Sequence, residues 1–169
     1  MDTIEAIRTR RSIRRYTGEP VSDDVLAEIL KAAMSAPSAG NQQPWQFVVV
    51  ADRALRDAIA QFHPYAQMVP EAPVAIVVCG DLRLESYKGY WVQDCSAATQ
   101  NILLAAHAQG LGAVWVGIYP VEDRVRRLQQ LLALPAQVVP LALVPLGLPA
   151  ERVPPANRFD PARIHRNRW

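Results

Sequence analysis

Anion binding is the chemistry that the first residues of this sequence could perform. Four arginines and one serine stand within the six residues from Arg10 to Arg15. A guanidinium group can donate two parallel hydrogen bonds to a phosphate, and a serine hydroxyl can donate one more. The stretch therefore predicts a phosphate site. An arginine-rich segment can also be an ordinary solvated surface, and these residues alone leave both interpretations open.

A short first helix is predicted to lead into these arginines. Asp2, followed three residues later by Glu5, resembles a capping box, and Ile4 and Ile7 would form the apolar side of the helix. A second helix is predicted from Asp23 to Ser35, because its apolar residues recur at helical spacing after an acidic first turn.

A loop rich in side-chain amides, from Ser38 to Trp45, follows the second helix. Beyond it the chain alternates predicted strands with helices. A helix capped by Asp52 runs through Leu55 and Ile59, a buried central helix spans Trp91 to Gln109 and ends at Gly110, and another helix begins at Pro120. Four strands are predicted, the last with two prolines that indicate an edge or a bulge: Gln46–Ala51, Val74–Cys79, Ala113–Ile118 and Val138–Leu146.

This order of elements predicts an α+β fold, with a mixed central sheet between helices. We expect residues 1–169 to form a single domain. Residues 151–169 are rich in proline, arginine and asparagine and are predicted to be an extended tail. Because such a tail has no core of its own, it needs another surface to lie on, and a partner subunit is the obvious candidate.

Composition excludes several other classes of protein. The formal net charge of +2 is too small to indicate nucleic-acid binding. Cys79 and Cys95 lack metal-ligand spacing and are expected to be buried core residues in a reducing compartment. Glycines and prolines interrupt the two long uncharged stretches, so neither is expected to span a membrane. The start of the chain does not resemble a secretory signal, and we expect a cytoplasmic protein.

Four motifs together resemble the nitroreductase family of flavin enzymes in its shorter form. They occur in the family's order and span nearly the whole chain: RRSIR at residues 10–14, APSAGNQQPW at 36–45, GLGAVWVG at 110–117, and the ending from Arg158-Phe159-Asp160 to Trp169. The resemblance implies a homodimer with FMN at the subunit interface and a C-terminal tail that wraps around the partner.

The same resemblance implies roles for particular residues. Arg10, Ser12 and Arg158 would bind the FMN phosphate and ribityl chain, with Arg11 contributing mainly its backbone, and Arg14 would approach the pyrimidine edge of the ring. Pro37, Ser38, Ala39 and Asn41 would come from the other subunit. The backbone of Trp115, Val116 and Gly117 would face the ring, with an N–H near its N5. No metal and no catalytic side chain are implied, because the chemistry belongs to the flavin.

Several of these assignments have alternatives. Ser38 and Asn41 could simply cap their loop, and Trp115 could be an ordinary core aromatic. Arg158 could pair with Asp160 or a partner carboxylate, and Arg152, Arg163, Arg166 and Arg168 are rival phosphate ligands. Gln93 and Asp94 are expected to have a polar role at the dimer interface.

The sequence also departs from longer relatives. These commonly place an Asn and a Lys against the flavin between the second helix and the second strand, where this chain has HPYAQM at residues 63–68. No role follows for these six residues, and His63, His107 and His165 are expected to be structural or surface residues. Helices that cover the substrate in some relatives are absent here.

The resemblance implies an FMN-dependent oxidoreductase that passes two electrons from NAD(P)H to a nitroaromatic, quinone or similar flat acceptor in a ping-pong cycle. Two alternatives stay open. The same scaffold serves reductive dehalogenation or flavin breakdown in other relatives, and a flavin-binding module could store or sense FMN without turnover. The residues do not specify the acceptor or the preference between NADH and NADPH.

Overall fold

The computed structural model describes residues 1–169 and has an α+β architecture. Its five α-helices are α1 (Thr3–Thr9), α2 (Asp23–Met34), α3 (Arg53–Phe62), α4 (Trp91–Ala108) and α5 (Glu122–Leu131). Its five strands are β1 (Trp45–Val50), β2 (Val74–Asp81), β3 (Gly112–Ala113), β4 (Val116–Gly117) and β5 (Val138–Gly147).

Side-chain caps at Asp2, Ser22 and Asp52 precede the first residues of α1, α2 and α3. The Asp2 carboxylate accepts a hydrogen bond from the Glu5 backbone N–H at 2.9 Å. Asp52 accepts one from Ala54 at 2.7 Å. Each cap satisfies a backbone donor that has no partner inside its helix. The last helix was predicted to begin at Pro120, and this is wrong. α5 begins at Glu122, and Pro120 lies in the turn before it.

The predicted apolar side of α1 does not face the core of the chain. Ile4 is 55 % exposed and Ile7 is 50 % exposed, and Ala6 is the one buried residue of this helix. A helix of seven residues that packs through a single alanine leaves most of its apolar surface uncovered. The apolar side that Ile4 and Ile7 form is therefore left about half exposed by the rest of the chain.

The sheet separates two apolar layers. β1 pairs with β2, β2 with β5, and β5 with β3 and β4, all antiparallel, and an isolated parallel bridge joins Ser12 to Ala113. Because successive side chains of a strand point to opposite faces, β2 sends Ile76 and Val78 toward α2 and α4, and Val77 and Cys79 toward α3 and α5. β2 is buried along its whole length.

One predicted strand, Ala113–Ile118, is divided into β3 and β4. Ala113 lies opposite Leu146, and Val116 lies opposite Leu143, so the register is the same on both sides of the gap. That register sets Val114 opposite Pro145. A proline has no N–H to donate, so the ladder is interrupted at this pair although the chain stays extended.

The prolines of the last strand mark a bulge rather than an edge. β5 lies in the interior of the sheet, between β2 on one side and β3 and β4 on the other. The register between β2 and β5 shifts between Val78 and Cys79, where Cys79 pairs with Pro140 and Leu141 is left over. Of the two alternatives predicted for these prolines, an edge or a bulge, the bulge is confirmed.

The two cysteines are free and buried, and burial raises the pKa of the Cys79 thiol to about 12.

The C-terminal segment leaves the sheet after β5. Its side chains are exposed from residue 152 to residue 169, and its only regular element is one 3-10 turn at Pro161–Arg163. None of the helices has the length and apolar character that a membrane span requires.

Candidate functional site

A cavity of about 420 Å³ opens beside β4. Its walls come from three separated parts of the chain: the arginine stretch, the segment between α3 and β2, and the β3–β4 strand with the start of α5. The lining residues are Arg14, His63, Pro64, Tyr65, Gln67, Met68, Val114, Trp115, Val116, Gly117 and Arg124. This set contains two arginines and no carboxylate, so the cavity is electropositive.

The strand register turns the peptide groups of Gly117 toward this cavity. The Ile118 N–H donates to the Leu141 carbonyl at 3.1 Å, so Ile118 is hydrogen-bonded to β5. Alternate residues of an antiparallel strand point their N–H and C=O groups away from the partner. Gly117, opposite Ala142, therefore directs both groups to the outer edge of β4. The strand presents a backbone N–H at the side of the cavity.

The carbonyl of Gly117 is held by two side chains. His63 Nε2 lies 2.9 Å from this oxygen, and Arg124 Nη1 donates to it at 3.1 Å. The Tyr65 backbone N–H donates to His63 Nδ1 at 3.2 Å, so Nδ1 carries no proton and Nε2 is the donor to Gly117. His63 is therefore the neutral Nε2–H tautomer, wedged between its own loop and β4.

Burial is the main reason why His63 stays neutral. Its side chain is 1 % exposed, and burial lowers the pKa of the imidazole below its ordinary value. The hydrogen bond to the Gly117 carbonyl raises the pKa, and the nearby charge of Arg124 lowers it, but desolvation is the largest of the three effects. The neutral ring ties residues 63–68 firmly to the cavity wall.

The outer side of β4 is open at Gly117 and Trp115. A Cβ added at Gly117 would meet no protein atom within 4 Å. Trp115 is 37 % exposed, so the alternative of an ordinary core aromatic does not describe it in this chain. An open glycine beside an exposed indole leaves space for a flat molecule against the strand.

Arg14 reaches the cavity because the arginine stretch is fastened to β3 and to the start of the tail. The Ile13 N–H donates to the Ala113 carbonyl at 3.0 Å. The Glu151 carboxylate accepts hydrogen bonds from the backbone N–H groups of Arg14 and Arg15. The Arg14 guanidinium makes no hydrogen bond or ion pair within the chain, so it is available to a ligand in the cavity.

A second concave region, of about 750 Å³, lies between α1 and the tail. We call it the arginine groove, and its lining residues are Ile7, Arg8, Thr9, Arg10, Arg11, Pro155, Ala156, Asn157, Arg158 and Phe159. Burial, followed by the charges of Arg11 and Arg158, lowers the pKa of the Arg10 guanidinium. The groove brings like charges together without a carboxylate, which is the electrostatic condition for binding an anion.

The arginines of the groove divide into two kinds. Arg11 donates to the carbonyls of Pro154 and Ala156, at 3.0 and 3.3 Å, and so holds the tail against α1. The guanidinium groups of Arg8, Arg10 and Arg158 have no hydrogen-bonded partner in the chain. Asp160 pairs with Arg163 at 3.2 Å and not with Arg158, so that alternative is not realised here. The groove thus has three free cations, and Arg10 and Arg158 are the two that the resemblance assigns to the phosphate.

Residues 37–41 line neither the cavity nor the groove. The carboxylate of Asp94, at the start of α4, accepts from the Ala39 N–H at 2.9 Å and from the Gln42 amide at 2.7 Å. The Ser38 hydroxyl accepts from the Gln43 N–H at 3.0 Å, which is the loop-capping role. Asp94 thus organises this loop from within its own chain, and neither Ser38 nor Asn41 lines the concave regions of Arg10 and Arg14.

Sequence reasoning missed two residues that shape the cavity. The sequence predicts that His63 is a structural or surface residue, and it predicts no role for Arg124. The available signal was the irregular segment HPYAQM, which replaces the residues that longer relatives use at this place. No local pattern could show that Arg124 turns toward Gly117 while Arg126 and Arg127 do not.

Comparison with known proteins agrees with this architecture. A model of the nitroreductase family matches residues 7–148. The chain is 53 % identical over 169 residues to the "Putative NADH dehydrogenase/NAD(P)H nitroreductase" of Methanothermobacter thermautotrophicus, and the match covers 100 % of this chain and 88 % of that protein. A crystal structure of a protein of the same name from Parabacteroides distasonis superimposes with a TM-score of 0.95 at 42 % identity, covering 99 % of this chain and 98 % of the other.

One similar structure contains a cofactor. It is the crystal structure of a "putative nitroreductase in complex with fmn" from Desulfovibrio desulfuricans, with a TM-score of 0.86 and 37 % identity. The match covers 100 % of this chain and 99 % of that one.

Proposed function

The chain belongs to the nitroreductase family, and from that premise we propose that it takes a hydride from NADH or NADPH and passes two electrons to a nitroaromatic, quinone or similar flat acceptor. It is an NAD(P)H-dependent flavin oxidoreductase, and its cofactor is FMN. The acceptor class and a ping-pong order, with donor and acceptor using the same site in turn, are parts of the proposal.

The donors present in the chain fit FMN in two places. Beside the cavity, β4 offers an outward N–H at Gly117, and an added Cβ there would meet no protein atom within 4 Å. In the arginine groove, Arg10 and Arg158 are cations without a protein acceptor. The first place suits a flat, hydrogen-bonding ring, and the second suits a phosphate. This pairing of an open strand edge with unpartnered arginines is the observation that carries the proposal.

Each residue then has a defined task. Arg10, Arg158 and Ser12 would hold the phosphate end of FMN, and Gly117 would donate its N–H to the ring. Arg14 would place a fixed cation where negative charge collects, which favours reduction. When bound, FMN supplies the hydride and electron chemistry. The protein's share is binding, orientation and electric field.

His63 and Arg124 act on the site through the backbone of Gly117. Two donors on the Gly117 carbonyl fix the peptide plane between Gly117 and Ile118, and so help to hold the strand edge at which the Gly117 N–H is presented. The neutral imidazole performs this task without adding a charge to the cavity. We do not assign either residue a proton-transfer step, because both are already committed to hydrogen bonds with Gly117.

A homodimer would complete the site. The loop at Pro37, Ser38, Ala39 and Asn41 lies outside both concave regions of its own chain. A second copy could bring that loop to the cofactor. The exposed apolar residues Ile4, Ile7 and Phe159, which are 55 %, 50 % and 75 % exposed, are surfaces that such a partner would cover. The part of the tail beyond the Arg11 contacts would then lie on the neighbouring chain.

The test is a pair of observations on the purified protein. We expect it to be yellow, to release FMN on denaturation, and to lose its flavin absorbance when NADH or NADPH is added without oxygen. Adding a nitroaromatic or quinone should then restore the absorbance. A colourless protein that ignores added FMN would refute the proposal, and bound FMN that neither nicotinamide reduces would indicate the flavin-binding module instead.

A further inference from the structure

Helix α5 carries three arginines that differ in what they contact. Arg126 and Arg127 both form ion pairs with Asp123, at 2.5 and 2.8 Å. Arg124 forms no ion pair, although Asp123 is its neighbour in sequence. Its guanidinium lines the cavity beside β4. Two of the three arginines are therefore neutralised on the surface, and the third retains an uncompensated charge.

Two contacts hold the Arg124 guanidinium in position. Its Nη1 donates to the Gly117 carbonyl at 3.1 Å. The same group lies over the Tyr65 ring, with its central carbon 5.5 Å from the ring centroid, which is within cation–π distance. The remaining N–H groups of this fork have no acceptor in the chain. A rigidly held fork with free donors costs little conformational entropy when a ligand binds.

The rest of the cavity wall reinforces this charge. Its lining contains no aspartate or glutamate, and the imidazole of His63 is neutral. If Arg14 serves the flavin, as proposed above, then Arg124 is the cation left for a substrate. A partly enclosed wall with one sign of charge favours an anionic ligand and disfavours a cationic one.

We propose that Arg124 is a specificity-determining residue that binds the oxyanion group of a substrate, a carboxylate or a phosphate attached to a flat aromatic molecule that enters the cavity. The inference rests on the proposed function and goes beyond it by naming the substrate's charge. The oxyanion could belong to the electron acceptor, as a ring carboxylate, or to the donor, as the additional ribose phosphate that distinguishes NADPH from NADH.

A purely structural role for Arg124 makes a different prediction. His63 already donates to the Gly117 carbonyl, so the second hydrogen bond could serve only to stiffen β4. Loss of stiffness in β4 would weaken the binding of charged and uncharged substrates alike. Loss of the cation that pairs with an oxyanion would weaken the binding of charged substrates only. The experiment measures this difference.

The experiment compares Arg124→Gln with Arg126→Gln in the FMN-loaded protein. The acceptor arm uses para-nitrobenzoate and its uncharged analogue para-nitrobenzamide, and the donor arm uses NADPH and NADH. In one of the two arms, we expect the ratio of kcat/KM for the charged over the uncharged substrate to fall at least about tenfold in Arg124→Gln, the size of one lost charge-assisted hydrogen bond. The same ratio should be unchanged in Arg126→Gln.

Direct binding supplies a second readout that needs no turnover. Calorimetric titration of the oxidised protein with para-nitrobenzoate and with NADP+, which carries the ribose phosphate of NADPH but no hydride, should show weaker binding of one of them in Arg124→Gln. Arg124→Lys, which retains the charge without the fork, should show a partial recovery. Raising the salt concentration should reduce the wild-type preference. The arm that responds identifies the source of the oxyanion.

Equal losses for the charged and uncharged members of both pairs would overturn the inference in favour of the structural role. A wild-type protein without preference for either charged member would overturn it as well. Neither result affects the proposed function, which fails if the wild-type protein does not bind FMN, if NAD(P)H does not reduce it, or if no nitroaromatic or quinone reoxidises it.

Discussion

The cavity beside β4 and the arginine groove beneath the tail are both electropositive, but they are built differently. Buried contacts shape the cavity, since neutral His63 and Arg124 converge on the Gly117 carbonyl and the strand register directs the peptide outward. The groove is closed on one side by an exposed tail, which Arg11 holds through the carbonyls of Pro154 and Ala156.

This difference indicates a division of labour. The cavity is preorganised, so its geometry should change little when a ligand binds. In the groove Arg10, Arg11 and Arg158 repel one another, so an anion would remove a repulsion as well as make new hydrogen bonds. We therefore expect affinity for the cofactor to depend mainly on the groove. The positions of the flavin ring and of the substrate should depend mainly on the cavity.

The largest expected effect is on cofactor affinity in the groove. Arg10→Ala removes a partly buried cation with no partner in the chain. Loss of a hydrogen bond to a charged group costs about 1.5–3 kcal/mol, so the FMN dissociation constant should rise about tenfold to a hundredfold. Fluorescence titration of the FMN-free protein measures this change. Arg15→Ala is the matched control. If both variants weakened FMN binding equally, the groove would be only a general basic surface.

Gly117→Ala tests whether the open side of β4 is reserved for a ligand. Without FMN the added methyl meets no protein atom, so the free energy of unfolding should change by no more than about 1 kcal/mol. With FMN the methyl would crowd the ring, and overpacking of this kind costs about 1–3 kcal/mol. Thermal unfolding with and without FMN separates the two states. If Gly117→Ala changes the stability by the same amount with and without FMN, the ring does not lie against Gly117.

The buried imidazole should make the stability of the cavity depend on pH. The pKa of His63 is lowered in the folded chain, whereas in the unfolded chain it is near 6.5, so the unfolded state binds more protons just below that pH. Stability is therefore full above about pH 6.5 and falls below it by up to about 1.4 kcal/mol per pH unit. His63→Asn should flatten this dependence.

Urea unfolding at pH 7.5 and pH 5.5 measures the effect of His63→Asn, with His165→Asn in the exposed tail as the control. The variant should be less stable than the wild type at the higher pH, because the Gly117 contact is weakened, yet should lose less on acidification. An unchanged pH dependence would mean that the folded protein tolerates a charged imidazole at this place.

The smallest expected effect distinguishes the arginines of the tail. Arg158 is exposed and unpaired, whereas Arg163 is engaged with Asp160. Exposed ionic contacts contribute up to about 1 kcal/mol, so Arg158→Ala should weaken FMN binding up to about fivefold. Arg163→Ala should leave it unchanged. The same titration measures both, and the opposite order would assign the phosphate contact to Arg163.

Local rules of chain geometry made much of the fold predictable. Asp2, Ser22 and Asp52 are helix caps that act within three residues, and β2 is recognisable from its run of apolar side chains. The arginine stretch and the amide-rich loop were equally visible. These features depend only on residues that are close together in the sequence, so they can be predicted without knowledge of the tertiary structure.

Features that depend on distant partners were not predictable. Nothing local indicates that β5 lies in the interior of the sheet, or that Pro145 faces Val114 and interrupts the predicted third strand. Ile4 and Ile7 have the spacing of a core-facing helix, yet they are exposed because no other part of the chain covers them. Strand order and helix packing decide these outcomes.

For the site, the sequence by itself determined which cations and which glycine are present: Arg10, Arg14, Arg158 and Gly117. The tertiary structure decided which of them are free. Arg11 is used by the tail, while Arg10 and Arg158 remain unpaired. His63 and Arg124 reach Gly117 because the strand register turns its carbonyl to the outer edge of the sheet. A hydrogen bond between residues 54 positions apart depends on the packing of α3 and β4, which no local pattern encodes.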